Sequence, residues 1–407
     1  MSESASGVVV TAMGNGWVVQ PAGGPAMPEL AAAVERLPAE PGYVPVAVSP
    51  RLPLADDAVL MAVAHEVRRK VLRRLPQNTG VRLAVPNTGQ GSETVAGRLG
   101  RLVRRSVVAP DGPVWVAVDQ SLLVGPAAGS PAGRWRTFTV AGAVRDTGPR
   151  HPAPPWQPPG IPYARAGTVD IPAGWWLTSG EFSPDAPGEL PFDLAPATGR
   201  CLLVIGGPSD EPVTAGRVVE HLRALPGPTR ELCVLVGYDS RHPAGPLASQ
   251  VAAMLDEPVR HGGGLPMLAE DGTEQWFVAH QGELVAAGFV DLAEALAAGG
   301  DHRVVTARPP LTGWRATDGP AWPLTDGWTL EVVLSGLWLR PDDVPPTRAG
   351  AVRALAAEAG VLSVIVEPGP SGAAELPANV LTHLLARLPA GQREQTRVVW
   401  HGIDGHR

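Results

Sequence analysis

Residues 200–239, RCLLVIGGPSDEPVTAGRVVEHLRALPGPTRELCVLVGYD, decide the fold. Leu202–Ile205 and Val234–Val236 are short unbroken apolar runs, too continuous for a strand with one wet face and suited to a strand buried on both. Between them, Val213–Leu225 carries apolar residues at helical spacing and stops at Pro226. Strand, helix and strand in this order predict two parallel strands joined by a right-handed crossover.

The plan occurs twice more. GYVPVAVSP (42–50) leads through a Pro-rich loop to the helix DDAVLMAVAHEVRRKVLRRLP (56–76) and the strand VRLAVP (81–86). VLSVIVEPGPSG (361–372) leads to the helix LPANVLTHLLARLP (376–389) and the strand TRVVWHGID (396–404). All three helices close on a similar tail, LRRLP, LRALP or LARLP. The first and third copies also match upstream, and the first and second match downstream, where 94–110 and 246–262 lead to the Trp-bearing strands VWVAVD (114–119) and QWFVAH (275–280). A full unit reads β, α, β, α, β, α, β.

The sequence therefore predicts an α/β fold: tandem three-layer units with mainly parallel sheets, two complete and one partial, joined by Pro/Trp-rich segments. The expected boundaries are a first unit at 1–145, a Pro-rich linker at 146–165, a second unit at 166–306, a Pro/Trp-rich linker at 307–328 and a partial third unit at 329–407. A sheet cut short in this way exposes an edge that is expected to pair with a protein partner or a second copy.

Composition narrows the classes. At 44% hydrophobic residues the chain is no disordered polymer, and no apolar run reaches the roughly 20 residues of a membrane helix. The net charge of −7 and a single lysine, Lys70, speak against nucleic-acid binding. The one basic run, EVRRKVLRR (66–74), reads as the solvated side of a helix whose apolar side carries Val63, Val67, Val71 and Leu72. The first residues have no basic leader before their short apolar run, and two cysteines allow no disulfide framework, so a cytoplasmic location is the expectation.

Ligands of open parallel sheets bind beyond the carboxyl ends of the strands. The loops to inspect are those after Val48, Val85, Ile205, Val236, Val366 and Trp400, and their compositions differ between the copies. A P-loop is excluded because Lys70 lies within a helix, no strand is followed by G-x-G-x-x-G, and neither cysteine has a partner at metal-ligand spacing, so neither cofactor nor metal is expected. HGGG at 261–264 lacks the G-x-S-x-G elbow that would make it an oxyanion-hole motif and reads as a turn. Twelve tryptophans against five phenylalanines leave two readings, a groove for carbohydrate or peptide lined by residues such as Trp175, Trp176, Trp314, Trp322 and Trp328, or rings that pin the connecting segments to the sheets.

The order strand, loop, helix, strand, loop, helix resembles that of caspase-like cysteine peptidases, and of flavodoxin-like units more generally. In the peptidases a His-Gly ends one strand and a Cys ends the next. Here the second copy has Gly206-Gly207 at the first position, and Pro86-Asn87 or Tyr238-Asp239 stands at the second. The units also resemble segments of large actinobacterial toxin-like multidomain proteins, in which SC-x-TG stands where this chain has VPNTG (85–89). These departures imply lost thiol chemistry, with Cys201 and Cys233 as core residues, and a non-catalytic scaffold or protein-interaction module. Two alternatives stay open: a cysteine hydrolase using Cys233 with His221, His242 or His261, and a small-ligand receptor using Asn87, Thr88, Asp210, Tyr238 and Asp239.

Overall fold

The computed structural model describes residues 7–401 apart from 26, 38, 92–93, 126–132, 158–166, 180–188, 208–210, 270–271, 298–300, 312, 315–318, 326, 345, 356, 359 and 368–377. The chain forms two compact units, one of residues 1–172 and 182–199 and the other of 173–181 and 200–407.

The first unit opens with an antiparallel hairpin of β1 (Val8–Met13) and β2 (Gly16–Pro21). There follow α1 (Pro28–Arg36), β3 (Tyr43–Val48), α2 (Asp57–Glu66), β4 (Gly80–Leu83), α3 (Val95–Val103) and β5 (Val107–Pro110). β2, β3, β4 and β5 run parallel to one another in succession. Asp56 caps α2 by accepting hydrogen bonds from the amides of Ala58 (2.8 Å) and Val59 (3.2 Å), and Thr94 caps α3 through the amide of Gly97 (2.9 Å). Beyond α2 the helical path continues as a π turn and a 3₁₀ turn to Arg74, with Val63, Val67, Val71 and Leu72 inward and Arg68, Arg69, Arg73 and Arg74 in solvent.

After β5 the direction changes. β6 (Val114–Val116), β7 (Leu122–Val124) and β10 (Arg150–His151) form a separate antiparallel sheet, whereas β8 (Trp135–Phe138) and β9 (Val144–Asp146) extend the main sheet antiparallel to β5. The Trp115 strand is thus not part of the main sheet as expected. Its run is short and half wet, with Val116 exposed, and cannot fill a position buried on both faces. The Pro-rich segment around 150 is a covering arm: the Arg150 guanidinium lies over the Trp156 ring and donates to the Ile171 carbonyl (2.8 Å) and to Gln157 Oε1 (3.1 Å), beside Asp170 (3.2 Å). β11 (Thr168–Ile171) is the last strand before the unit boundary.

The second unit contains β12 (Gly174–Leu177), β13 (Cys201–Ile205), α4 (Ala215–Ala224), α5 (Gly227–Glu231), β14 (Cys233–Gly237), α6 (Ala244–Leu255) and β15 (Val259–His261). β12 to β15 run parallel, in register Trp175 to Leu203, Leu203 to Leu235 and Leu235 to His261. An antiparallel ribbon of β16 (Leu265–Leu268), β17 (Glu274–His280) and β18 (Glu283–Ala286) stands apart, and it holds the second Trp-bearing strand. β19 (Val290–Ala295) and β20 (His302–Ala307) then close the sheet antiparallel to β15. A further five-stranded sheet has the order β21 (Ala321–Thr325), β22 (Trp328–Val333), β23 (Gly336–Pro341), β24 (Leu362–Val366) and β25 (Thr396–Trp400). α7 (Pro346–Arg353) links β23 to β24, and α8 (Ala378–Arg387) with α9 (Ala390–Glu394) links β24 to β25.

The chain is therefore a mixed α/β protein, and its sheets are parallel only in part. Hairpin geometry is the reason. Gly14 and Asn15 alone join β1 to β2, and Leu334 and Ser335 alone join β22 to β23. Two residues can turn a chain back on itself but cannot carry a crossover. Trp175, Trp176, Trp322 and Trp328 lie within strands and are buried, so these four are core residues of the sheets themselves and not rings on connecting segments.

Two glycines are fixed by close approach. A Cβ on Gly174 would collide with the Leu202 carbonyl, and one on Gly336 with that of Ser363, because each starts a strand pressed against its parallel neighbour. Gly174→Ala is expected to cost roughly 1–3 kcal/mol, as overpacking does, read as a lower denaturation midpoint. Leu235→Asp, which puts a charge at a fully buried position of β14, is expected to abolish cooperative unfolding of the second unit; a wild-type melting profile would refute burial on both faces.

Candidate functional site

The carboxyl end of β14 carries the densest polar cluster of the second unit. Past Gly237 the chain turns through residues 238–243 into α6. Tyr238 is used up in packing: its ring stacks on Trp176 at 5.6 Å with 11° between the planes. Asp239 organises the turn, accepting from the Arg241 amide (3.0 Å) and the Arg241 guanidinium (2.7 Å) and meeting His242 Nδ1 at 2.8 Å. Burial opposes its ionisation, but the hydrogen bonds from Arg241 and His242 outweigh burial and hold the carboxyl below its usual range. Gly206 has a φ of +84°, and a Cβ there would strike the His242 ring, so the Gly206-Gly207 pair is the complement of a buried His242.

One turn into α6, Ser249 meets the far edge of the sheet. Its Oγ lies 2.8 Å from His302 Nε2 on β20, and His302 Nδ1 lies 2.9 Å from His261 Nε2 on β15. The two imidazoles are nearly perpendicular, 4.9 Å between centroids. Burial, then the neighbouring His302, push His261 down to about 3, and burial lowers His302 as well. Both rings are neutral at pH 7. His280 Nδ1 pairs with Ser240 Oγ at 3.0 Å close by.

A cavity of about 380 Å³ opens over these groups. Asp239, His242, Ser249, His261 and His302 lie in its wall on the side of β14 and β15, and Ser335, Glu358 and Gln392 on the side of the five-stranded sheet. Among the described residues no arginine or lysine lines it. The HGGG run borders it as the expected bend, between β15 and β16, and is also tightly packed: Cβ atoms on Gly262, Gly263 and Gly264 would meet the Trp276 ring, the Val290 carbonyl and the Phe277 carbonyl. The Gly262 amide is spent on the Leu235 carbonyl (2.9 Å) and is not available to an oxyanion.

The other sequence candidates separate. Cys201 and Cys233 are register partners at the amino ends of β13 and β14, Cys233 only 4% exposed. A hydrogen bond with the Cys201 thiol and burial hold the Cys233 thiol well above its ordinary range. His242 follows the carboxyl end of the same strand, about 13 Å of extended chain away. His221 is buried on α4, edge-on to Trp175 at 5.4 Å. In the first unit Asn87 takes a left-handed conformation (φ 60°), and Thr88 Oγ1 donates to the Val85 carbonyl (2.7 Å), which closes that loop on itself. Asp210 lies outside the described residues. The sequence reading missed Ser249, His302, Ser335 and Gln392; each is a single polar residue in an ordinary helix, strand or turn, and only the sheet order unites them.

Among the described residues no cluster of three or more His, Cys, Asp or Glu could hold a metal ion, and no helix is long and apolar enough to cross a membrane. Comparison of the chain with protein-family models, with curated proteins and with solved structures gives no match.

Two measurements follow. Neither cysteine should react with iodoacetamide while the chain is folded, so alkylation should track unfolding; prompt native labelling would contradict the placement. His261 binds its proton below pH 6.5 only when unfolded, so stability falls as pH drops from 6.5 towards 3 and levels off below that, on the order of 1 kcal/mol per pH unit for such a group. His261→Gln should flatten this slope in thermal melts; an unchanged slope would show that His261 titrates normally.

Proposed function

We propose that the chain is a ligand-binding α/β protein whose site is the cavity at the carboxyl ends of β14 and β15. The observation that carries this reading is a cavity of about 380 Å³ at the place where open α/β sheets bind ligands, within the usual 300–1,000 Å³ of such sites. Among the described residues its wall supplies hydroxyl, amide, imidazole and carboxylate groups but no arginine or lysine, which favours a small uncharged or cationic ligand over a phosphate or nucleotide. Thiol chemistry has no support at this end of the sheet, since both cysteines lie at the other.

We also read the sheets as copies of one unit, the last partial. This is supported by the succession of hairpin, parallel strands and antiparallel pair in the first sheet, by the same parallel-to-antiparallel change from β15 to β19, and by the matching glycines Gly174 and Gly336. A second function, docking of a protein partner along β25, is favoured by one observation: Trp400 is half exposed on a strand with a single sheet neighbour among the described residues. A mass in solution above one chain, lost in Trp400→Ser, would support it, and a monomer in both would count against it.

Gly245→Leu tests the pocket. A Cβ there would stand 3.6 Å from His261 and 4.0 Å from His302, ordinary contact distances, and glycine at this place in α6 costs the helix roughly 1 kcal/mol relative to alanine. The variant should fold with an unchanged or higher melting temperature and lose the thermal stabilisation that neutral or cationic fragments give the wild type. Equal stabilisation of both proteins would place the binding elsewhere.

A further inference from the structure

We infer that Ser249, His302 and His261 form a nucleophile, general base and positioning residue, so that the cavity is a site of acyl transfer to and from a serine. The inference rests on the cavity being a binding site.

Three elements meet to build the relay: α6 brings Ser249, the strand that follows it, β15, brings His261, and β20, 41 positions further on, brings His302. A neutral imidazole offers one donor and one acceptor, so the chain of hydrogen bonds can run in two directions. If it runs from His261 towards Ser249, the serine proton is left with the Gly245 carbonyl at 3.4 Å. If it runs from Ser249 towards His261, the hydroxyl donates to His302 Nε2 at 2.8 Å, and His302 Nδ1 donates to His261 Nε2 at 2.9 Å. The second direction uses the same 2.8 Å and 2.9 Å contacts as the first and is the one that gives the serine proton to His302. It also leaves the His261 proton on Nδ1, away from His302. Serines within helices ordinarily bond back to the carbonyl four residues earlier; here the imidazole is the nearer partner.

His261 is buried at 4% exposure, whereas His302 and Ser249 are both partly buried and border the cavity. Burial keeps His302 unprotonated at neutral pH and so free to accept a proton. The nearby Asp301 carboxylate favours the imidazolium that then forms.

With an ester, Ser249 Oγ attacks the acyl carbon while its proton passes to His302 Nε2. The tetrahedral intermediate collapses, the ester C–O bond breaks, and His302 returns the proton to the departing alcohol. Water then gives a proton to His302 and attacks the acyl-serine; the acid is released and the proton goes back to Ser249. No metal or redox partner enters the balance. The wall without arginine or lysine selects small uncharged or cationic esters over phosphorylated or acidic ones.

The test is labelling of the full chain with a tagged alkyl fluorophosphonate at pH 7.5, with the modified residue located by peptide mass mapping. Label at Ser249 is expected, absent in Ser249→Ala and at least tenfold slower in His302→Gln, each variant keeping the wild-type melting temperature. His261→Gln should label at an intermediate rate with an altered pH profile, as a positioning residue requires. Cleavage of p-nitrophenyl butyrate should follow the same ranking. A folded wild type that takes no label at Ser249, or a His302→Gln variant that labels as fast, overturns the inference. Fragment stabilisation lost in Gly245→Leu, in a chain that takes no label, would remove the relay and leave the binding site; absence of both would remove both.

Discussion

Burial of the central parallel strands on both faces is the constraint from which the rest of the second unit follows. Leu203, Val204, Leu235 and Val236 reach no solvent on either side of the sheet. A polar side chain within these runs would lose its water and gain no partner. Polar chemistry is therefore displaced to the strand ends, and of the two ends only the carboxyl one is followed by loops that enter helices. The Gly206-Gly207 turn, the Asp239 knot and the His261 ring all lie at or just past such ends.

The same constraint explains why the two cysteines are inert while the histidines are not. Cys201 and Cys233 face each other where the strands begin, and the neighbouring Cys201 thiol with burial raises the cost of ionising Cys233. His261 ends the short strand β15, where β19 and β20 turn antiparallel and bring His302 alongside. Two imidazoles this close and this buried avoid carrying charge and meet through a hydrogen bond as neutral rings. The first unit shows a contrasting use of the same residue type. There His151 is pushed to about 2 by burial and by Arg82, and it lies 3.2 Å from Glu40, whose carboxylate holds Arg82 in a two-point pair beneath the covering arm. None of Glu40, Arg82 and His151 lines the cavity at the ends of β14 and β15.

Much of this architecture was legible in the sequence, because apolar runs such as Leu202–Ile205 and helix tails such as LRALP report burial and termination directly. The antiparallel hairpins and ribbons were less legible. The runs around Trp115 and Trp276 contain enough apolar residues to pass for sheet-centre strands, and only their wet faces, Val116 and Glu274 among them, reveal the separate sheets. The site was legible at Asp239, His242 and His261, which follow or end apolar runs. Ser249 and His302 were not, since 53 positions separate them and an antiparallel turn brings them together. Tyr238 sat in the right loop but was claimed by Trp176.

Side-chain ¹⁵N spectra of the histidines across pH 4–8 would test the account most directly, because they report both protonation and which ring nitrogen carries the proton. The account predicts that His261 remains neutral down to pH 5 and that His302 titrates below its ordinary range, with His302 protonated at Nδ1 and His261 at Nδ1, each as a single tautomer. Two imidazoles that titrate together near 6.5 with averaged tautomers would contradict the buried relay and the site built on it.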